Sequence, residues 1–171
     1  MEMLAMGTWV PVMLSGVVAL AGSGLAQTGN RADLVAQNRP HYQTFPMPVE
    51  GTFPGRGIAT GSVFTIGRQA EAMLSFNETN RFSFSLAGRY ANNLETVYSG
   101  TITRRLPGTR GVNGFILETQ VTSFASSLED RRVMNTTGTC RIEIFDSLVV
   151  ESSCTTRIPD SNTEFQGMEQ F

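Results

Sequence analysis

The sequence predicts an all-β fold: a single small antiparallel β-barrel or β-sandwich of about seven or eight strands, with an extended proline-rich N-terminal arm. Three observations carry this expectation. From Gly57 onward apolar residues recur with period two, the signature of strands with one buried face. Clusters of turn-forming residues separate these runs at short intervals. The same region holds no amphipathic pattern long enough for a packed helix.

The first element is apolar but outside this pattern. No charged residue lies between Met3 and Asn30, and Trp9–Leu14 and Val17–Ala21 form an apolar stretch. Gly24-Leu25-Ala26 follows as a small-x-small cleavage site, so 1–26 is read as an export signal and Gln27 as the new N-terminus. The segment before the apolar run holds Glu2 and no basic residue. The alternative is therefore an uncleaved anchor, although Pro11 and several glycines suit a permanent span poorly. That is the only membrane contact the expected fold implies.

Residues 27–56 are read as the arm. Pro40, Pro46, Pro48 and Pro54 remove amide donors and favour extended backbone. A helical turn capped by Asn30 has too little apolar surface to stand alone. The arm also contains His41, the sole histidine.

The β domain spans 57–171. Ile58, Phe64 and Ile66 share one parity. So do Leu74 with Phe76, Phe82 with Phe84 and Leu86, Tyr98 with Gly100 and Ile102, and Phe115 with Leu117 and Val121. Ile142 and Ile144 form the next set, with Val150 on the strand that follows. Turn signals fall at Asn77–Asn80, Ala91–Asn93, Leu106–Gly108, Asn135–Gly138 and Pro159–Asn162. Pairing Leu74 with Phe84 and Phe76 with Phe82 gathers the large side chains of one hairpin on one face, leaving Asn77–Arg81 as its loop. Gly61 and Gly100 inside strands predict bends or close backbone approach, and Ser126–Arg132 predicts a single helical turn.

Cys140 and Cys154 are expected to form a disulfide in an oxidising compartment. A hairpin centred on Ser147 places them opposite each other, with Ile142 against Ser152 and Ile144 against Val150. The same register sets Glu143 against Glu151 on the other face. Opposed like charges destabilise a sheet. Three offsets are consistent with the residues: a nearby cation such as Arg141 with water, a calcium ion, or a shared proton in a carboxylate dyad.

Composition limits the chemistry. The formal net charge is −2, which offers no basic field for nucleic acid. All 13 residues counted as Lys or Arg are arginine, suited to bidentate anion binding. Arg104, Arg105 and Arg110 fall together in an expected turn and form a candidate anion-binding loop. With one histidine and two bridged cysteines, no zinc site assembles. No nucleophile lies in a catalytic motif, no glycine-rich loop precedes a helix, and no cofactor is expected. Asn77-Glu78-Thr79 and Asn135-Thr136-Thr137 fit the glycosylation pattern but also read as ordinary turns.

The expectation is thus a non-enzymatic binding or structural domain, secreted or periplasmic, with no ligand or partner specified. One alternative is a carboxylate-dependent hydrolytic or metal-assisted enzyme. The other is a small outer-membrane barrel, suggested by the terminal Phe171. Against it stand Glu169, on the parity of Phe165 and Phe171, and strands shorter than a membrane span needs.

Overall fold

Alternation of buried and exposed side chains builds eight strands: β1 (Gly51–Gly61), β2 (Phe64–Phe76), β3 (Arg81–Gly88), β4 (Glu95–Pro107), β5 (Gly114–Ser126), β6 (Arg131–Phe145), β7 (Leu148–Thr156) and β8 (Thr163–Gly167). The computed structural model describes residues 47–90 and 93–168. Each strand pairs antiparallel with its sequence neighbour, and β8 returns to β1, closing an up-and-down barrel. The one helical element described is a 3-10 turn, Leu128–Asp130, where a single turn is expected. The export signal at 1–26, His41 and Phe171 lie outside the described residues.

Closure resolves the choice between barrel and sandwich. It rests on a short seam in which Gly57 pairs with Gly167 and Ala59 with Phe165. A Cβ at Gly57 would sit 2.0 Å from the Gln166 carbonyl oxygen, so this position requires glycine for the two strands to meet. Strand β1 begins at Gly51, within the stretch 27–56 expected to be arm. Pro54 is accommodated because its part of β1 pairs with β2 alone; pairing with β8 starts only at Gly57.

The β2–β3 hairpin has the expected register, Leu74 opposite Phe84 and Phe76 opposite Phe82. Cys140 lies opposite Cys154 and the two are bonded at 2.04 Å, with Ile142 opposite Ser152 and Glu143 opposite Glu151. Beyond Glu143 the register departs from expectation. A bulge sets Ile144 against Val149 rather than Val150. The turn is a two-residue connection, Asp146-Ser147, rather than one centred on Ser147. Both turn residues have positive φ, 48° and 66°, as a hairpin turn matched to strand twist demands.

The inner wall is apolar. Phe64, Leu74, Phe84, Leu117, Ile142 and Phe165 each retain 0 % exposure. A side chain lining a water-sized void would keep some accessible surface, so these residues fill the barrel around them, as side chains do in small barrels. One end is closed by polar contacts. The Tyr98 hydroxyl donates to the Ser161 carbonyl and lies 3.0 Å from Thr163 Oγ1, pinning the β7–β8 loop to the core. Burial pushes this hydroxyl well above the ordinary tyrosine range, and the Thr163 hydrogen bond pulls the other way.

Candidate functional site: the Arg105 rim

The opposite end of the barrel, formed by the start of β1, the β2–β3 turn and the end of β4, carries the candidate site. Two bulges in the β4–β5 pairing make it. The first, between Ser99 and Gly100, accompanies close approach of the strands: a Cβ at Gly100 would sit 1.9 Å from the Gln120 carbonyl oxygen. The second, between Ile102 and Arg104, reverses the alternation. Arg104 then pairs with Glu118 on the outer wall, and Arg105 pairs with Leu117, whose side chain is fully buried inside.

The candidate anion-binding loop therefore does not assemble as a loop. Arg104 and Arg105 are adjacent strand residues and so lie on opposite faces, and the bulge turns Arg105 rather than Arg104 inward. The Arg104 guanidinium forms an ion pair with Glu118 at 3.3 Å on the outer wall. Arg110 lies in the β4–β5 connection, where it has interactions of its own. Arg105 points to the barrel mouth.

Its surroundings are unusual for a cation. The Phe53 and Phe76 rings stack at 5.5 Å, and Phe115 meets them edge-on at 5.6 and 6.3 Å. The Arg105 guanidinium lies over Phe76, 5.2 Å from its centroid. Its Nη1 donates to the Pro48 carbonyl, and its Nη2 donates to Val49 O at 3.3 Å and Asn80 Oδ1 at 2.9 Å. The segment Met47–Val49 is thereby strapped across the mouth, with Met47 packed against the core. Among the described residues Arg105 bonds only neutral oxygens; no carboxylate balances its charge. Outside the rim runs a concavity of about 670 Å³ that shares Phe76 and Phe82 with the core and is also lined by Arg81 and Glu50.

The carboxylate pair is brought together as expected, but the two members differ. Glu151 is exposed, whereas Glu143 is 3 % exposed. Glu143 also has donors that the sequence reading did not anticipate. The β4–β5 connection folds over the outer wall, and the Thr109 amide and hydroxyl both donate to Glu143 Oε1, at 2.8 and 2.6 Å. Sequence reasoning missed Thr109 because it lies 34 residues from its partner. The described residues contain no group of three or more potential metal ligands. The Ser152 hydroxyl, on the inner wall between Ile142 and Phe165, is buried without a hydrogen-bond partner, and nothing in the structure explains it.

A second concavity, about 550 Å³, lies on the outer wall and is lined mainly by threonines and Arg157. Several of its hydroxyls are engaged within the protein: Thr103 donates to Glu118 O at 2.9 Å, and the Thr139 and Thr155 hydroxyls lie 3.4 Å apart. It presents less unsatisfied chemistry than the rim.

These features define an eight-stranded up-and-down β-barrel with an apolar interior. Comparison with family models, curated proteins and solved structures finds no match to this chain.

Proposed function

We propose that this protein is an exported, non-enzymatic β-barrel domain that serves a binding or structural role, with the Arg105 rim as its recognition end. The observation that carries this reading is the use made of Glu143. It is the buried member of the carboxylate pair, and it is held by the Thr109 amide and hydroxyl. A buried carboxylate engaged in this way anchors a loop.

Export is supported by the uncharged segment ahead of Gln27 and by the Cys140–Cys154 bridge, which is compatible with an oxidising compartment. It is checked by the N-terminus of the protein recovered outside the cytoplasm, expected at Gln27. Five strands, β1, β2, β4, β5 and β6, run 11 to 15 residues and are longer than expected, long enough for a span. The outer-membrane reading is disfavoured instead by the outer wall, where Arg56, Glu71, Arg104, Arg141 and Glu164 occupy positions that a membrane-spanning barrel gives to apolar residues.

The enzymatic alternative is tested by separating the two carboxylates. Glu143→Ala should cost about 1–3 kcal/mol, because two Thr109 donors lose their acceptor. Glu151→Ala should change stability by no more than about 0.5 kcal/mol, as exposed substitutions do. Urea unfolding of the two variants measures this asymmetry. Equal effects, or a hydrolytic activity that both folded variants lose together, would contradict the reading.

A further inference from the structure

We infer that the Arg105 rim is a binding site for a small anionic amphiphile, of the class of single-chain alkyl carboxylates, and that Met47–Val49 occupies this site as an internal stand-in. The inference rests on the binding reading above and names its ligand class.

The strap displays what the site accepts. It lays one unbranched apolar side chain, Met47, against the core and offers two carbonyl oxygens, of Pro48 and Val49, to the guanidinium. An alkyl carboxylate has the same layout: a flexible apolar chain ending in two oxygens. It also adds the element the strap lacks. A carboxylate can take two parallel hydrogen bonds from a guanidinium and also neutralise it, which neutral carbonyl oxygens cannot do. The cation is thus held in reserve by partners that an anion outbids.

The rim is also where the core is least closed. Phe53, Phe115, Ile102 and Phe76 retain 9, 7, 7 and 6 % exposure, whereas Phe64 and Phe165, elsewhere on the inner wall, retain none. Moving three residues of strap would uncover stacked rings without disturbing any strand, since β1 begins only at Gly51. The stacked rings of Phe53, Phe76 and Phe115 supply the apolar surface for the chain, whereas the neighbouring concavity is lined mostly by polar residues, Thr52, Ser75, Asn77 and Ser83, with Arg81 beside it favouring an anion. Glu50 lines it as well, which penalises a head group placed there and leaves Arg105 as the anchor.

The test uses the oxidised protein and two titrants of equal chain length and opposite charge, decanoate and decyltrimethylammonium, each below its micellar concentration. Ligand binding is read by NMR from the Met47 methyl and the Phe53, Phe76 and Phe115 rings, with the Ile142 and Val149 methyls as a control for an intact barrel. Saturable shifts confined to the rim with decanoate, and at least tenfold weaker ones with the cation, are expected. Arg105→Gln should weaken decanoate binding at least tenfold. Met47→Ala should strengthen it severalfold, because the internal competitor is impaired. The opposite directions of these two variants distinguish a site from a structural clamp, which either substitution would merely loosen. Equal response to both titrants, or no strengthening with Met47→Ala, overturns the proposal. So does the absence of saturable binding to either, a result that would leave the non-enzymatic reading to its own test on Glu143 and Glu151.

Discussion

Truncating Phe84 to alanine is expected to destabilise the protein by about 3–5 kcal/mol, the largest effect of any single side chain considered. Phe84 sits at the centre of a lateral row, with Leu74 on one side and Tyr98 on the other. All three have 0 % exposure. Removing the ring forfeits its transfer energy and leaves a cavity that closed walls cannot collapse to fill, since each strand is held on both sides. Met73 provides the control. It neighbours Leu74 but points outward and is 45 % exposed, so Met73→Ala should shift stability by no more than about 0.5 kcal/mol. The measurement is the urea midpoint of each variant, with the slope checked to be unchanged. Similar midpoints would mean that the interior at Phe84 is loosely packed and able to collapse.

Removing the disulfide should rank second. Cys140→Ser with Cys154→Ser is expected to lower stability by about 2–4 kcal/mol. The bridge spans a sequence separation of 14, and in the chain-entropy model a loop of that size contributes about 3 kcal/mol by restricting the unfolded chain. Both sulfurs belong to residues buried in the core, at 1 and 0 % exposure, so the serine pair also places two hydroxyls on an apolar wall. A Cys→Ala pair separates the contributions: it keeps the entropic loss and omits the hydroxyl cost. If the serine pair unfolds at the same urea concentration as the oxidised wild type, the bridge does not constrain this fold.

Much of the architecture is legible in the sequence because most of it is local. The Leu74–Phe84 and Phe76–Phe82 pairs follow from parity on two runs joined by a short turn, and Cys140 against Cys154 follows in the same way. Gly61 and Gly100 mark bends for a reason visible at the residue level, since a side chain would collide there. Closure is different. It depends on β8, a strand of five residues in which Phe165 is the one large apolar side chain, and on a β1 that contains Pro54. Neither segment carries a strong strand signal alone; each is specified by the partner it meets across the barrel.

The site was obscured by bulges and by distance along the chain. Two adjacent arginines that read as one loop cluster lie on opposite faces of a strand, and one inserted residue between Ile102 and Arg104 turns Arg105 rather than Arg104 inward. Another, Val150 on β7 opposite the Glu143–Ile144 step, moves the β6–β7 turn by one position. The partners that give Arg105 and Glu143 their roles, Pro48 and Thr109, lie 57 and 34 residues away. No periodicity encodes such contacts.

Closure of this chain into a barrel with its apolar side chains inside is open to one direct measurement. In a nuclear Overhauser spectrum of the oxidised protein, the Ala59 methyl should show contacts to the Phe165 ring across the β1–β8 seam, together with backbone contacts between Gly57 and Gly167. Slow amide exchange should extend through β8 as well as through the longer strands. Absence of those cross-seam contacts, with Phe165 in solvent and the β8 amides exchanging freely, would describe an open sheet and contradict the barrel.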